Sequence, residues 1–138
     1  MKIIVCVDND MGMMFNHRRQ SRDSVLCEYL LSQYGKEKIY MTEYSSKIFE
    51  RKDSIIIKEN VIENINSKDY FFIEDANIFD DMSKEDIDKI DEIIMCFWNR
   101  DYPSDRKFNL DISMYRLEKE TDIAGNSHNK ITIKEYRR

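Results

Sequence analysis

The sequence predicts a mostly parallel α/β sheet with an antiparallel edge, on three observations. The chain opens with β-branched and apolar residues, Lys2 to Val7, a run of the kind buried on both faces of a sheet. Strand-like runs then alternate with segments that carry helix signals, about four times over. The final stretch alternates apolar and polar residues around Ala124-Gly125-Asn126, which reads as a hairpin with one buried face. A length of 138 residues supports one core, so a single domain over 1–138 is expected.

The elements follow in order. After the first strand, Asp8-Asn9-Asp10-Met11-Gly12 ends the run, and Gly12 is the residue expected to supply a positive φ for a turn. Residues 13 to 20 read as a loop with Met13, Met14 and Phe15, then a polar and basic stretch. Ser21 is expected to cap a helix with Asp23 in its first turn. Val25, Leu26, Tyr29 and Leu30 form its apolar stripe, and Gly35 its C-cap. Lys38 to Met41 reads as a short strand, Ser45 to Glu50 as a helical turn and Ser54 to Ile57 as a strand. Asn60 to Asn66 is a weak helix, Tyr70 to Ile73 a buried strand, and Ile78 to Met82 a helical segment. Ser83 is an N-cap before Ile87 and Ile90. Glu92 to Trp98 is a strong strand, and a loop from Asn99 to Asn109 holds the only proline. Ile112, Met114, Tyr115 and Leu117 lead into the closing hairpin, where Ile131, Ile133 and Tyr136 alternate with polar residues.

Composition narrows the function classes. Hydrophobic residues make up 41% of the chain, enough to exclude a wholly disordered polymer. A net charge of −5 disfavours generic nucleic-acid binding. No apolar run approaches the roughly 20 residues of a membrane helix or suits a secretory signal, so a cytoplasmic protein is expected. Three cysteines, Cys6, Cys27 and Cys96, form no Cys-x-x-Cys motif and read as buried reduced thiols. Two histidines, His17 and His128, are too few for a zinc enzyme with three or more histidine ligands. The acidic run Asp80-Asp81, Glu85-Asp86 and Asp88 lacks calcium-loop spacing and reads as a solvated helix face.

The densest polar cluster is Asn16-His17-Arg18-Arg19-Gln20-Ser21-Arg22-Asp23. It falls at the carboxyl end of the first strand, where α/β sheets place ligands. Its arginines suit a phosphate or carboxylate. The same residues are also consistent with a solvated loop whose arginines pair with Asp8, Asp10 and Asp23. Asp23 reads as a helix cap or as an anchor for a ligand. Ser21, Ser24 and Cys27 have no histidine near them in the chain, so a nucleophilic triad has no support from sequence.

Over nearly its whole length the order of elements resembles the dihydrofolate reductase fold. Ile3–Asp8, Met11-Gly12, the helix that starts at Asp23, Ile90-Asp91-Glu92-Ile93-Ile94 and Ile131-Thr132-Ile133-Lys134-Glu135-Tyr136 carry the resemblance. It implies a mostly parallel sheet with crossover helices and a C-terminal antiparallel hairpin. It also implies that Asp23 stands for the acidic residue holding a pterin ring. The family's dinucleotide-binding residues do not carry over. Glu74-Asp75 follow Phe71-Phe72-Ile73 where the family has Gly-Gly, Glu43 stands where a cation pairs with the cofactor phosphate, and the Pro-Trp after the mobile loop is missing. The segment from Phe15 to Asp23 also resembles short proteins of Gram-positive bacteria labelled ribonuclease Z. Two histidines cannot build that zinc site.

The resulting expectation is a reductase-like protein without a dinucleotide site and with no cofactor. It would bind a small anionic or heterocyclic ligand near the first loop and helix. Asp8, Asn16, Arg18, Arg19, Arg22, Asp23 and Cys96 are the candidate ligand-binding residues, and no catalytic or metal-ligating residue is assigned. The rival is a non-catalytic interaction module that docks a partner, or a second copy, through Met13-Met14-Phe15.

Overall fold

The computed structural model describes all residues from Met1 to Arg138. At its centre is β1 (Lys2–Val7), which pairs in parallel with β6 (Tyr70–Phe72) on one side and β7 (Glu92–Phe97) on the other. Beyond β6 lie β4 (Ile39–Met41) and β5 (Ile55–Ile57), also parallel. Beyond β7 the direction reverses. β10 (Ile131–Arg137) pairs antiparallel with β7, and β9 (Arg116–Ile123) antiparallel with β10. The seven-stranded order is β5-β4-β6-β1-β7-β10-β9, a mostly parallel sheet closed by an antiparallel hairpin, as the sequence predicts.

The period-two geometry of a strand divides the core between the two faces of this sheet. Ile3, Val5 and Val7 enter one cluster with Phe71, Ile93 and Met95, while Ile4 joins Phe72, Ile94 and Cys96 in the other. The second cluster is covered by α1 (Ser24–Tyr34), which buries Leu26, Cys27, Leu30, Leu31 and Tyr34. The expected stripe is therefore rotated: Val25 lies outside, 40% exposed. The expected cap also shifts. Asp23, not Ser21, is the N-cap, because its carboxylate accepts from the Val25 and Leu26 N–H groups. The other crossovers are short: α2 (Glu43–Ser46), a 3₁₀ turn at Ile62–Asn64, and a 3₁₀ segment at Ala76–Asp81 followed by α3 (Lys84–Asp88). Ser83 caps α3 in a reciprocal box with Asp86.

The stretch 13–20, expected as a loop, is a hairpin. β2 (Gly12–Phe15) and β3 (Arg18–Arg19) join β8 (Arg106–Lys107) in a second sheet of order β3-β2-β8. Asn16 and His17 connect β2 to β3 with φ of 53° and 63°, the paired positive values of a tight hairpin turn whose twist matches its strands. Met13 and Met14 are buried at 4% and 7%, and only Phe15 faces out. The proposed Met13-Met14-Phe15 docking surface is thereby corrected: two of its three side chains are core, because β2 packs against the main sheet. The positive φ expected of Gly12 belongs to Met11 instead, at 64°. Gly12 is required for space, since a Cβ there would meet Gln20 Nε2 and Ser104 Oγ, each at 2.6 Å.

In the closing hairpin the buried face belongs to β10, where Ile131, Thr132 and Ile133 are covered. β9 is exposed along most of its length and carries Arg116, Glu118, Lys119, Glu120 and Asp122. No helix is long and apolar enough to cross a membrane.

Candidate functional site

The carboxyl ends of the parallel strands and the β2–β3 hairpin enclose a cleft of about 170 Å³. Thr42 follows β4 into it, and Ile73, Glu74 and Asp75 follow β6. Met14 reaches it from β2. Met14, Val61, Phe72, Ile73 and Ile78 supply apolar walls, and His17, Arg19, Ser45, Glu59, Glu74 and Asp75 supply polar ones. Open α/β sheets present ligands at this end, because neighbouring crossovers diverge there.

Arg19 organises the cleft. Its Nε donates to Glu74 Oε2 at 2.7 Å and its Nη2 to Glu74 Oε1 at 3.0 Å, a bidentate pair between β3 and the end of β6. Nη2 also donates to the Tyr44 carbonyl, and the guanidinium stacks over the Tyr44 ring at 4.1 Å. Ser45 Oγ donates to Glu74 Oε1 at 2.8 Å. Burial alone would lower the Arg19 pKa, but the Glu74 hydrogen bonds and charge outweigh it and raise it. Arg19 is the only arginine or lysine lining the cleft, and it is already paired.

The other expected residues separate. Arg18 is exposed on β3, and Arg22 lines a different surface hollow with Ser24 and Lys47. The three arginines therefore do not converge on one anion: alternation along β3 and the start of α1 sends them apart. Asn16 sits in the hairpin turn, where its N–H donates to Asp105 Oδ2 at 3.1 Å. Asp8 is 1% exposed, and its oxygens accept from the Asp10, Gly12 and Tyr102 N–H groups and from Gln20 Nε2. Burial would raise its pKa, but these four donors lower it. Cys96 is fully buried in the core beside Cys6, its register partner, and does not line the cleft. The Cys6 thiol is pushed well above its usual pKa by its hydrogen bond with Cys96 and by burial, and burial pushes the Cys27 thiol up to about 12. Neither is an activated thiolate.

Asp23 is not open to a ligand. Besides capping α1, its oxygens accept from the Asn126 N–H at 3.0 Å and the Ser127 N–H at 2.9 Å, and Oδ2 lies 3.0 Å from His128 Nδ1. Burial would raise its pKa, but the Asn126 N–H, His128, and the Ser127 and Leu26 N–H groups hold it far below the usual carboxylate range. His128 is 2% exposed and stacks on the Trp98 indole at 4.6 Å between ring centres. Its Nε2 lies 3.0 Å from Ser21 Oγ and 2.9 Å from the Tyr102 hydroxyl. Ser21 has no histidine near it in the chain, as the sequence indicates, but it has one in space. The two residues lie 107 positions apart, and the hairpin turn brings them together. Sequence reading missed His128, Tyr102 and Glu74 as site residues. The only signal available was polar residues falling at strand ends.

No group of three or more His, Cys, Asp or Glu side chains is arranged to hold a metal ion. No family model and no curated protein matches the chain. Among solved structures, the chain is similar to dihydrofolate reductase from Enterococcus faecalis complexed with NADP(H) and RAB-propyl. The TM-score is 0.67 at 10% identity, over 99% of this chain and 95% of that one. The chain has a dihydrofolate reductase-like fold.

Proposed function

We propose that the chain binds a small, neutral or cationic heterocycle in the cleft beside Arg19 and Glu74, and that it does not take up a dinucleotide phosphate. The observation that carries this reading is charge. The one guanidinium lining the cleft is consumed by Glu74, while Glu59 and Asp75 stand on its rim without a cation of their own. A pyrophosphate there would meet carboxylates and no free arginine or lysine, so the residues present do not fit NADP(H), which the structural neighbour holds. The apolar walls suit a flat ring, and Glu74 Oε2, which accepts a single hydrogen bond, has a lone pair for a ring N–H. The same count speaks against the anionic ligand that the arginine-rich segment suggests.

The test is a titration followed by Trp98 fluorescence and thermal shift, with NADPH, a pterin and an aminopyrimidine as probes. The expected result is no response to NADPH and a saturable shift with at least one heterocycle, weakened at least tenfold by Glu74→Gln. Saturable NADPH binding, or silence from both heterocycles, overturns the proposal.

A further inference from the structure

We infer that Ser21 is a nucleophile activated by His128 and held in register by Asp23, and that the chain transfers short acyl groups from small esters to water. The proposal does not depend on which ligand occupies the larger cleft.

The geometry comes first. Asp23 Oδ2 to His128 Nδ1 is 3.0 Å, and His128 Nε2 to Ser21 Oγ is 3.0 Å, so a carboxylate, an imidazole and a hydroxyl stand in line. The carboxylate is kept anionic by the donors described above. It therefore requires the imidazole proton on Nδ1 and leaves Nε2 as an acceptor, the tautomer a general base needs. Trp98 on the ring face and Asp23 on its edge together fix the imidazole plane.

The second observation is a recess beside Ser21, separate from the triad's own contacts. Ser21, Gln20, Arg19, Met13, Cys6 and Trp98 are among its walls, and it shares Arg19, Ile73 and Glu74 with the larger cleft. Its volume of about 10 Å³ admits a water or a methyl group. Gln20 Oε1 is buried with no hydrogen-bond partner, while its Nε2 is fixed by Asp8 and the Pro103 carbonyl. A buried acceptor left unpaired calls for a donor from outside the chain.

The step balances with water as the only co-reactant. Ser21 Oγ bonds to the ester carbonyl carbon as its proton passes to His128 Nε2. The carbon–oxygen bond to the leaving alcohol breaks, and Nε2 returns the proton to that oxygen. Water then attacks the acyl carbon, giving a proton to Nε2. Ser21 Oγ departs and recovers the proton, and the carboxylic acid is released.

Tyr102 sharpens the test, because its hydroxyl also reaches Nε2 and lies 3.3 Å from Ser21 Oγ. One lone pair on Nε2 accepts from one hydroxyl at a time, and the Tyr102 hydroxyl, which donates to Ser21 Oγ, leaves that lone pair to Ser21.

The experiment incubates the full chain with 4-nitrophenyl acetate, follows 4-nitrophenolate release, and maps the trapped acetyl group by peptide mass. The expected result is acetylation at Ser21, with hydrolysis reduced about 100-fold or more in Ser21→Ala and His128→Gln. Tyr102→Phe, which removes neither the nucleophile nor the base, should keep most of the rate. Acetyl transfer to Ser21 that is lost in His128→Gln is the readout that a purely structural Asp23–His128 contact would not move. Ser21 is partly exposed and Ser21→Ala removes no buried group, so that variant stands as the control if His128→Gln does not fold. An unmodified Ser21, an unchanged rate in Ser21→Ala, or a Tyr102→Phe rate as low as that of Ser21→Ala overturns the assignment.

Discussion

Replacing Asp23 by alanine is the most demanding test of how this fold is held together. The carboxylate has no exposed surface on its side chain and serves two distant segments at once. On α1 it supplies the N-cap, worth about 0.5–2 kcal/mol. At the hairpin turn it accepts from the Asn126 and Ser127 N–H groups and faces His128, and stripping a part-buried donor of its acceptor costs about 1–3 kcal/mol. The two sum to roughly 1.5–5 kcal/mol, reaching the upper end for a single substitution. For a chain of this length that corresponds to a fall in Tm of about 5–20 °C. Urea and thermal unfolding, followed by circular dichroism and Trp98 fluorescence, measure it. The pH dependence gives a second readout. Asp23 has a lower pKa folded than unfolded, so the unfolded chain takes up the proton first as pH falls. Its stabilisation is complete above the unfolded value of about 3.9 and is lost progressively as pH drops further, through the folded value. Asp23→Ala should therefore show a flatter stability profile below about pH 4 than the parent. A loss under about 1 kcal/mol with an unchanged acid profile would refute the view that one carboxylate ties the helix to the hairpin.

Three further outcomes follow from local geometry. Gly12→Ala drives a Cβ against Gln20 and Ser104 at 2.6 Å and should cost about 1–3 kcal/mol in urea unfolding, with no change if those side chains swing clear. Met13→Ala should cost about 2–4 kcal/mol while Phe15→Ser stays within about 0.5, since the first is core and the second is surface; equal effects would return β2 to the docking surface. Ser83→Ala removes one half of the capping box on α3 and should cost about 1 kcal/mol in the same assay.

The parallel sheet was legible because β1, β6 and β7 are apolar at successive positions, a pattern that only strands covered on both faces need. The hairpin at 12–19 was not. Its turn residues, Asn16 and His17, are not the Asn-Gly pair that signals such turns, and its charged strand β3 spans two residues. The cap moved from Ser21 to Asp23 because both are good caps by type, and the choice depended on the hairpin donors that fasten the carboxylate in place. The arginine cluster was visible as composition, but the Arg19–Glu74 pair joins residues 55 positions apart. Local spacing carries no information about such a partner. The same holds for Ser21 and His128.

The outer strand β9 limits how the sheet can grow. An incoming strand would have to strip water from Arg116, Glu118, Lys119, Glu120 and Asp122, and opposite signs follow one another too closely for a partner of uniform charge to compensate. At the far margin β5 offers only three residues, too short a ledge for a stable addition. Both flanks thus discourage runaway cross-strand polymerisation, so a high-concentration preparation should stay free of amyloid-type fibres.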